Sequence, residues 1–210
     1  MKTSLDEIRR MSFRALDAGR APQGVDEDSA VITAWLEASG LPGLRLLGDA
    51  LDTTAPKDRH ATLDPQLEDG QAHVDAAGAS AVFLGPGLID LMRCLAASHG
   101  QGARLSVDSL RHAGFLIGFI GQAREQGEAF SMSPSDPPDA QTSIILSRGD
   151  AHERQFWARL RARREHAFRE GIEVNQNDFE KVYTYSRKIL VPETEQSRLS
   201  GAGAGLTDND

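Results

Sequence analysis

Residues 71–95 read QAHVDAAGASAVFLGPGLIDLMRCL, and their reading decides the fold. Gln71–Asp75 alternates polar and apolar residues, the two-residue period of a half-buried strand. Ala81, Val82, Phe83 and Leu84 form a compact apolar run that reads as a further strand, closed by Gly85-Pro86-Gly87. Proline suits the first turn of a helix, and Leu88, Leu91, Met92 and Leu95 then recur at helical spacing. Strand character followed by helix in mid-chain makes this a mixed protein.

On the N-terminal side the pattern is helical. Ser4-Leu5-Asp6-Glu7 has the form of a capping box, and Leu5, Ile8, Met11, Ser12, Ala15 and Leu16 fall on one helix face. Gly19 and Pro22 punctuate its end. Asp26-Glu27-Asp28 suits the positive end of a second helix, whose stripe is Ala30, Val31, Ala34, Trp35 and Ala38, with Gly40 as its stop. Residues 44–51 read as one more short helix, and 52–70, polar and holding Pro56 and Pro65, as a surface loop.

On the C-terminal side, 103–107 alternates again, with Leu105 and Val107 on one face. Residues 109–126 are apolar enough for helix or strand; the Gln122-Ala123-Arg124-Glu125-Gln126-Gly127 ending favours helix. Stretches 128–132, 142–147 and 155–160 read as strands, separated by the proline- and aspartate-rich 133–139 and by Arg148-Gly149-Asp150. Asn177 or Asp178 caps a last helix that turns Phe179, Val182 and Tyr183 inward, with Pro192 beyond it. The fold expected is α+β, or α/β: an N-terminal two-helix hairpin (1–52) packed on a mixed sheet domain (53–190) that ends in a helix, then a Gly/Ala-rich tail (191–210).

Composition bounds the function. The 210 residues are 40% apolar and 26% charged, with one cysteine, Cys94, so no intramolecular disulfide forms. The expectation is a cytoplasmic protein: the N-terminus does not read as a leader, and no apolar run approaches membrane-spanning length. Thirty-one acids against 23 bases give a net charge of −8, which repels nucleic acid and anionic lipid at long range. The exception is Arg154, Arg159, Arg161, Arg163, Arg164 and Arg169, read as a solvated basic face.

Groups able to do chemistry are sparse. Cys94 sits in a helical stretch with His99 five residues on, poor spacing for one face, and reads as a small buried hydrophobe. None of the six histidines pairs at the helical spacing of a metal site, so no cofactor is implied. His73 and Asp75 share one strand face and would suit an acid–base pair, or else two exposed polar residues. Asp108 and His112 would suit an orienter and base, or else a cap and a surface residue. Gly85-Pro86-Gly87 sits where phosphate can meet a helix start, but lacks the glycine spacing and lysine of nucleotide-binding loops. Gly114, Gly118 and Gly121 form a smooth helical ridge, for close packing inside the chain or for a subunit interface. The tail alternates Gly and Ala and closes on Asp208 and Asp210; with Arg198 these are candidates for docking on a neighbour.

Two resemblances add to this. Val191-Pro192, Glu195, Ser197, Arg198 and the closing Gly201-Ala202-Gly203-Ala204-Gly205-Leu206-Thr207-Asp208-Asn209-Asp210 resemble a bacterial domain-of-unknown-function family, number 3726. Ser4-Leu5-Asp6-Glu7-Ile8 and 35–43 look like the same family. That resemblance implies a relative and no activity. The helical hairpin is also similar to the N-terminal helices of malate/L-lactate dehydrogenase-type oxidoreductases that lack a Rossmann fold. There a DSHG-like turn supplies a histidine after the second helix; here the turn is Gly40-Leu41-Pro42-Gly43, which implies a degenerate relative. The reading favoured is a non-catalytic subunit that self-associates or binds a protein partner, and the alternative is an enzyme of small-molecule metabolism.

Overall fold

In the computed structural model, residues 1–134, 141–146 and 151–189 are described. A short strand β1 (Lys2–Thr3) leads into helix α1 (Leu5–Ala18), whose cap forms as the sequence predicts: the Glu7 N–H donates to Ser4 Oγ at 3.1 Å. The reciprocal half of the box is replaced, because the Glu7 carboxylate accepts from Thr3 Oγ1 at 2.6 Å. Helices α2 (Val25–Ala38) and α3 (Gly43–Thr53) follow, then a 3-10 turn, Pro56–His60. Next come β2 (Gln66–Glu68), β3 (Gln71–Asp75), α4 (Ala81–His99), β4 (Arg104–Asp108) and α5 (Leu116–Glu125), the last entered through a 3-10 turn, Ala113–Phe115. The chain continues through β5 (Phe130–Pro134), β6 (Gln141–Leu146), α6 (Ala151–Glu170), β7 (Ile172–Glu173) and α7 (Gln176–Ser186).

The fold is α+β, with a five-stranded sheet ordered β2-β3-β4-β6-β5 and a two-stranded ribbon of β1 and β7. Among the described strands only β3 and β4 run parallel, joined through α4, and their register sets His73 beside Ser106 and Asp75 beside Asp108. Ala72, Val74, Leu105 and Val107 are buried, so the alternate residues His73, Asp75, Ser106 and Asp108 share the more exposed face. The hairpin α1/α2 is present. The C-terminal helix α7 packs on α1 and α3, where Lys181 Nζ reaches Asp49 at 2.9 Å and Asp52 at 2.7 Å, and Tyr185 Oη donates to Asp52 at 2.6 Å.

Several sequence expectations change. Ala81–Leu84 is the first turn of α4, capped by Ser80, so Gly85-Pro86-Gly87 lies inside a helix and exposes no phosphate-binding helix start. The interior proline is accommodated because the helix partner that its missing N–H would have bonded, Val82 O, accepts instead from Ser29 Oγ of α2 at 2.6 Å. Gly85 is required for the close approach of α5: a Cβ there would overlap the Phe119 ring. By length and composition α4 could cross a membrane, but half of its apolar window is buried within the chain, which marks it as a core helix. Cys94, off the buried Leu88–Met92–Leu95 stripe, is exposed, where a buried residue was expected.

Residues 155–160 are helix α6 and not a strand. Phe156, Trp157, Leu160, Arg164 and Ala167 recur every three or four residues, a period that emerges only over the full twenty-residue helix. The last helix is capped by Asn175, whose Oδ1 accepts from the Asn177 and Asp178 N–H groups, and Tyr183 is 48% exposed, stacked on Phe179 and not turned inward. The expected stop at Pro192 and the tail lie outside the described residues.

The 52–70 segment is more than a surface loop. It contains β2 and the buried Arg59, only 4% exposed. The Arg59 guanidinium donates to Gly19 O at the end of α1 and, at 2.7 Å, to Leu51 O in the last turn of α3, and lies 5.5 Å from the Phe83 ring of α4. Two helix C-termini present their partial negative charge to one cation. Hydrogen bonds to a charged group contribute about 1.5–3 kcal/mol each. Arg59→Ala should therefore lose about 2–4 kcal/mol of stability by chemical denaturation. A loss under about 0.5 kcal/mol, the scale of an ordinary surface substitution, would show that the guanidinium does not hold these ends.

Candidate functional site

Of the four titratable candidates, the structure joins His73 to Asp108, Nε2 to Oδ2 at 3.3 Å, a diagonal contact across the parallel strands. The pairing expected for Asp108 with His112 is thus exchanged. Asp75 is engaged locally: its Oδ1 accepts from the Ala77 N–H at 2.8 Å and closes the turn leaving β3. His112 lies beyond β4 and meets Ser80, Nδ1 to Oγ at 2.9 Å.

The strand ends converge. Beyond β3 and β4 the two chains stay paired: Ala76 N–H donates to Asp108 O, Gly78 N–H to Ser109 O, and Ala81 N–H to Arg111 O, each at 2.8–2.9 Å. Ala77, Ser109 and His112 hold positive φ there, three of the five non-glycine residues that do so among the described residues. Backbone strain of this kind clusters at functional sites. Arg111 ties the segment to α3, donating to Gly78 O, to Thr53 O at 3.2 Å and to Thr54 Oγ1 at 3.4 Å. The site lies beyond the C-terminal ends of parallel strands, where open α/β sheets bind ligands.

Ser80 is fully buried; its Oγ accepts the Val82 N–H at 3.2 Å as the cap of α4 and shares a hydrogen bond with His112 Nδ1. Burial first, and then the Arg111 charge, hold the His112 pKa below the ordinary 6.5. A neutral imidazole offering an N–H donor can orient a ligand; a serine hydroxyl buried behind it cannot act as a nucleophile on one. Among the described residues no three His, Cys, Asp or Glu side chains are grouped to hold a metal ion.

The glycine ridge is used inside the chain. A Cβ on Gly118 would overlap Ile32, and one on Gly121 would overlap Trp35, both on α2; Gly114 is in ordinary contact distance of Leu46. Arg198, Asp208 and Asp210 lie outside the described residues. Sequence reasoning missed Ser80 and Arg111. The Ser80-to-Val82 spacing at a helix start was a signal for the first; nothing local marked the second.

The turn between α2 and α3 carries a titratable group of its own. Pro42 precedes α3 and has no side-chain cap to offer, and Glu37 Oε1 accepts the Leu44 N–H at 2.8 Å in its place. Burial outweighs this bond and lifts the Glu37 carboxyl from 4.5 to about 7.

The fold and the strand-end site define an α+β protein with a compact parallel β-α-β unit at its centre. Residues 3–80 match the family model described as a protein of unknown function, DUF3726, so the family expected from the sequence is the one found over the hairpin, α3 and β3; the tail lies beyond that match. No curated protein matches the sequence. Among solved structures, the chain is similar in fold to a dehydrogenase from Sinorhizobium meliloti, with a TM-score of 0.60 at 14% identity, over 89% of this chain and 99% of that one.

Two measurements check this geometry. In an NMR titration His112 should have its midpoint below 6.5, and Ser80→Ala should cost about 1 kcal/mol through the lost cap. A midpoint at or above 6.5 would contradict the buried Nδ1 contact. For Glu37 the folded value lies above the unfolded one, so its contribution to stability is full below about 4.5 and lost as pH rises through about 7. Glu37→Gln should melt above wild type at pH 8 and close to it at pH 5; parallel melting curves for both proteins would refute the assignment.

Proposed function

We propose that this protein is a non-catalytic subunit that self-associates, with the groove between α1 and α2 as its docking surface and a second copy of the chain as its occupant. The groove itself supports this reading most. It has a volume of about 720 Å³, an apolar floor of Phe13, Ala30 and Val31, and Ile189 at its margin. Its rims carry opposite charge: Arg9, Arg10 and Arg14 come from α1, Glu27 and Asp28 from α2. A two-fold axis sets the basic rim of one copy on the acidic rim of the other, so the surface is complementary to itself. Burial, then Asp90 and Glu27, raise the Asp28 carboxyl, a repulsion that an arginine from the second copy relieves. The employment of Asp75, Ser80 and His112 in turns and caps fits a protein without a catalytic task. An exposed, unpaired Cys94 suits the cytoplasm, where it stays reduced.

Light scattering over a concentration series tests this: the full chain should form a dimer, and Val31→Asp, at the groove floor, a monomer. A monomeric full chain at all concentrations would sink the proposal, as would a Val31→Asp variant that stays dimeric.

A second reading is a small-molecule enzyme, a degenerate relative of the malate/L-lactate dehydrogenase-type oxidoreductases. It is favoured by the fold likeness and by the neutral His112 at the strand ends. A metabolite panel followed by thermal shift separates the two, since a ligand at a hundredfold excess over its Kd adds about 2.7 kcal/mol. A shift that His112→Ala abolishes supports the enzyme reading; no shift across the panel counts against it.

A further inference from the structure

The chain leaves its last described turn at the edge of the α1/α2 groove. Past α7 it makes a 3-10 turn, Arg187–Ile189, that packs on α1 and puts Ile189, 38% exposed, at the groove margin. Twenty-one residues follow, 190–210, and lie beyond the described ones. Covalent geometry sets the Leu190 Cα about 3.8 Å from that of Ile189, so this segment starts beside the groove whatever direction it then takes.

The order of residues in the segment matches the groove. Leu190-Val191-Pro192 comes first, three apolar residues next to a floor on which Phe13 and Val31 are only half-buried. Glu193 and Glu195 come next, and the α1 rim, against which the 3-10 turn packs, carries Arg9, Arg10 and Arg14. Arg9 and Arg10 share one carboxylate, Asp6, at 3.0 and 2.8 Å, and Arg14 has no ion-pair partner among the described residues. Exposed pairs of this kind contribute little, so the rim keeps positive charge to offer. Arg198 follows, opposite in sign to Glu27 and Asp28 on the other rim. Six extended residues reach about 20 Å, against about 7.5 Å of helix rise from Arg9 to Arg14, so 190–195 is long enough to pass the whole rim.

We propose that residues 190–198 fold back over the groove of their own chain and regulate the self-association proposed above. Leu190 and Val191 cover the floor at Phe13 and Val31, and Glu193 and Glu195 meet the α1 arginines. The regulation rests on that reading of the groove; the cover does not. A segment tethered at the margin faces its own groove at an effective concentration on the order of millimolar, whereas a second copy arrives only at the concentration of the protein. A groove closed about nine-tenths of the time lowers the apparent affinity about tenfold for each copy.

Disulfide trapping reads the cover independently of association. In the full chain carrying Cys94→Ser, Val191→Cys is combined with Val31→Cys at the groove floor, or with Thr184→Cys, an exposed α7 position seven residues away along the chain. Under oxidised glutathione the Val31 pair should cross-link at least about tenfold faster than the Thr184 pair, and should run as a monomer on a non-reducing gel. Equal rates would overturn the cover, and so would a cross-linked dimer as the main product, which would assign the segment to the groove of a second copy. Light scattering then reads the regulation: the double variant Leu190→Ser/Val191→Ser should dimerise about tenfold or more tightly than wild type. An affinity equal to wild type would overturn the regulation. If wild type and variant are both monomeric at every concentration while the Val31 cross-link forms, the cover stands and the self-association reading falls.

Discussion

One buried cation holds the helical half of this protein together. Arg59 is surrounded by carbonyl ends and a ring rather than by a carboxylate: α1 stops at Gly19 and α3 at its Leu51 turn, and both point their last acceptors at the same guanidinium. A cation buried this far is costly unless its donors are used, and burial accordingly depresses the Arg59 pKa. The geometry of α1, α3 and α4 follows from that demand. The three helices must present two C-terminal ends and the Phe83 ring at one point, so their relative positions are fixed by a residue that belongs to none of them. The α1/α2 groove and the strand-end site both inherit this frame, the first through α1 and the second through the α3 end that Arg111 grips.

The sheet contributes a different constraint. Parallel β3 and β4 bring two loops to the same edge, and continued backbone pairing beyond the strands locks those loops against each other. Ala77, Ser109 and His112 are forced into left-handed backbone by that pairing. The strain positions the His112 ring on Ser80 and aims Arg111 at α3. Three charged or polar regions then divide the surface: a neutral histidine at the strand ends, an open sheet face with the His73–Asp108 pair, and an arginine-lined cleft on α6.

Periodicity made the helices α1, α2, α3 and α5 and the strands β3 and β4 legible, because each carries its apolar period or its stop signal within its own length. It failed where the decisive partner was distant. Ala81–Leu84 has strand composition, and only Ser80 as a cap and Ser29 as a second-helix donor turn it into helix. The window 155–160 is too short to separate a strand from one face of a long helix whose other faces are arginine. The functional candidates fared similarly. Asp75, Asp108, His73 and His112 do lie near the ends of one strand pair, but which of them touch depends on register, and Gln71 opposite Arg104 fixes His73 on Asp108. Arg111 rests wholly on contacts between elements far apart in the chain.

The bond from Ser29 to Val82 carries an evolutionary consequence. Pro86 leaves the Val82 carbonyl free within a buried helix, and a serine hydroxyl on another helix satisfies it. Without Ser29, Pro86 would strand a buried acceptor. The dependence runs one way: Pro86 needs Ser29, and Ser29 does not need Pro86. Loss of Ser29 should be permitted only in lineages where Pro86 has already been replaced, so the order of substitution at 29 and 86 is a signature of this helix contact.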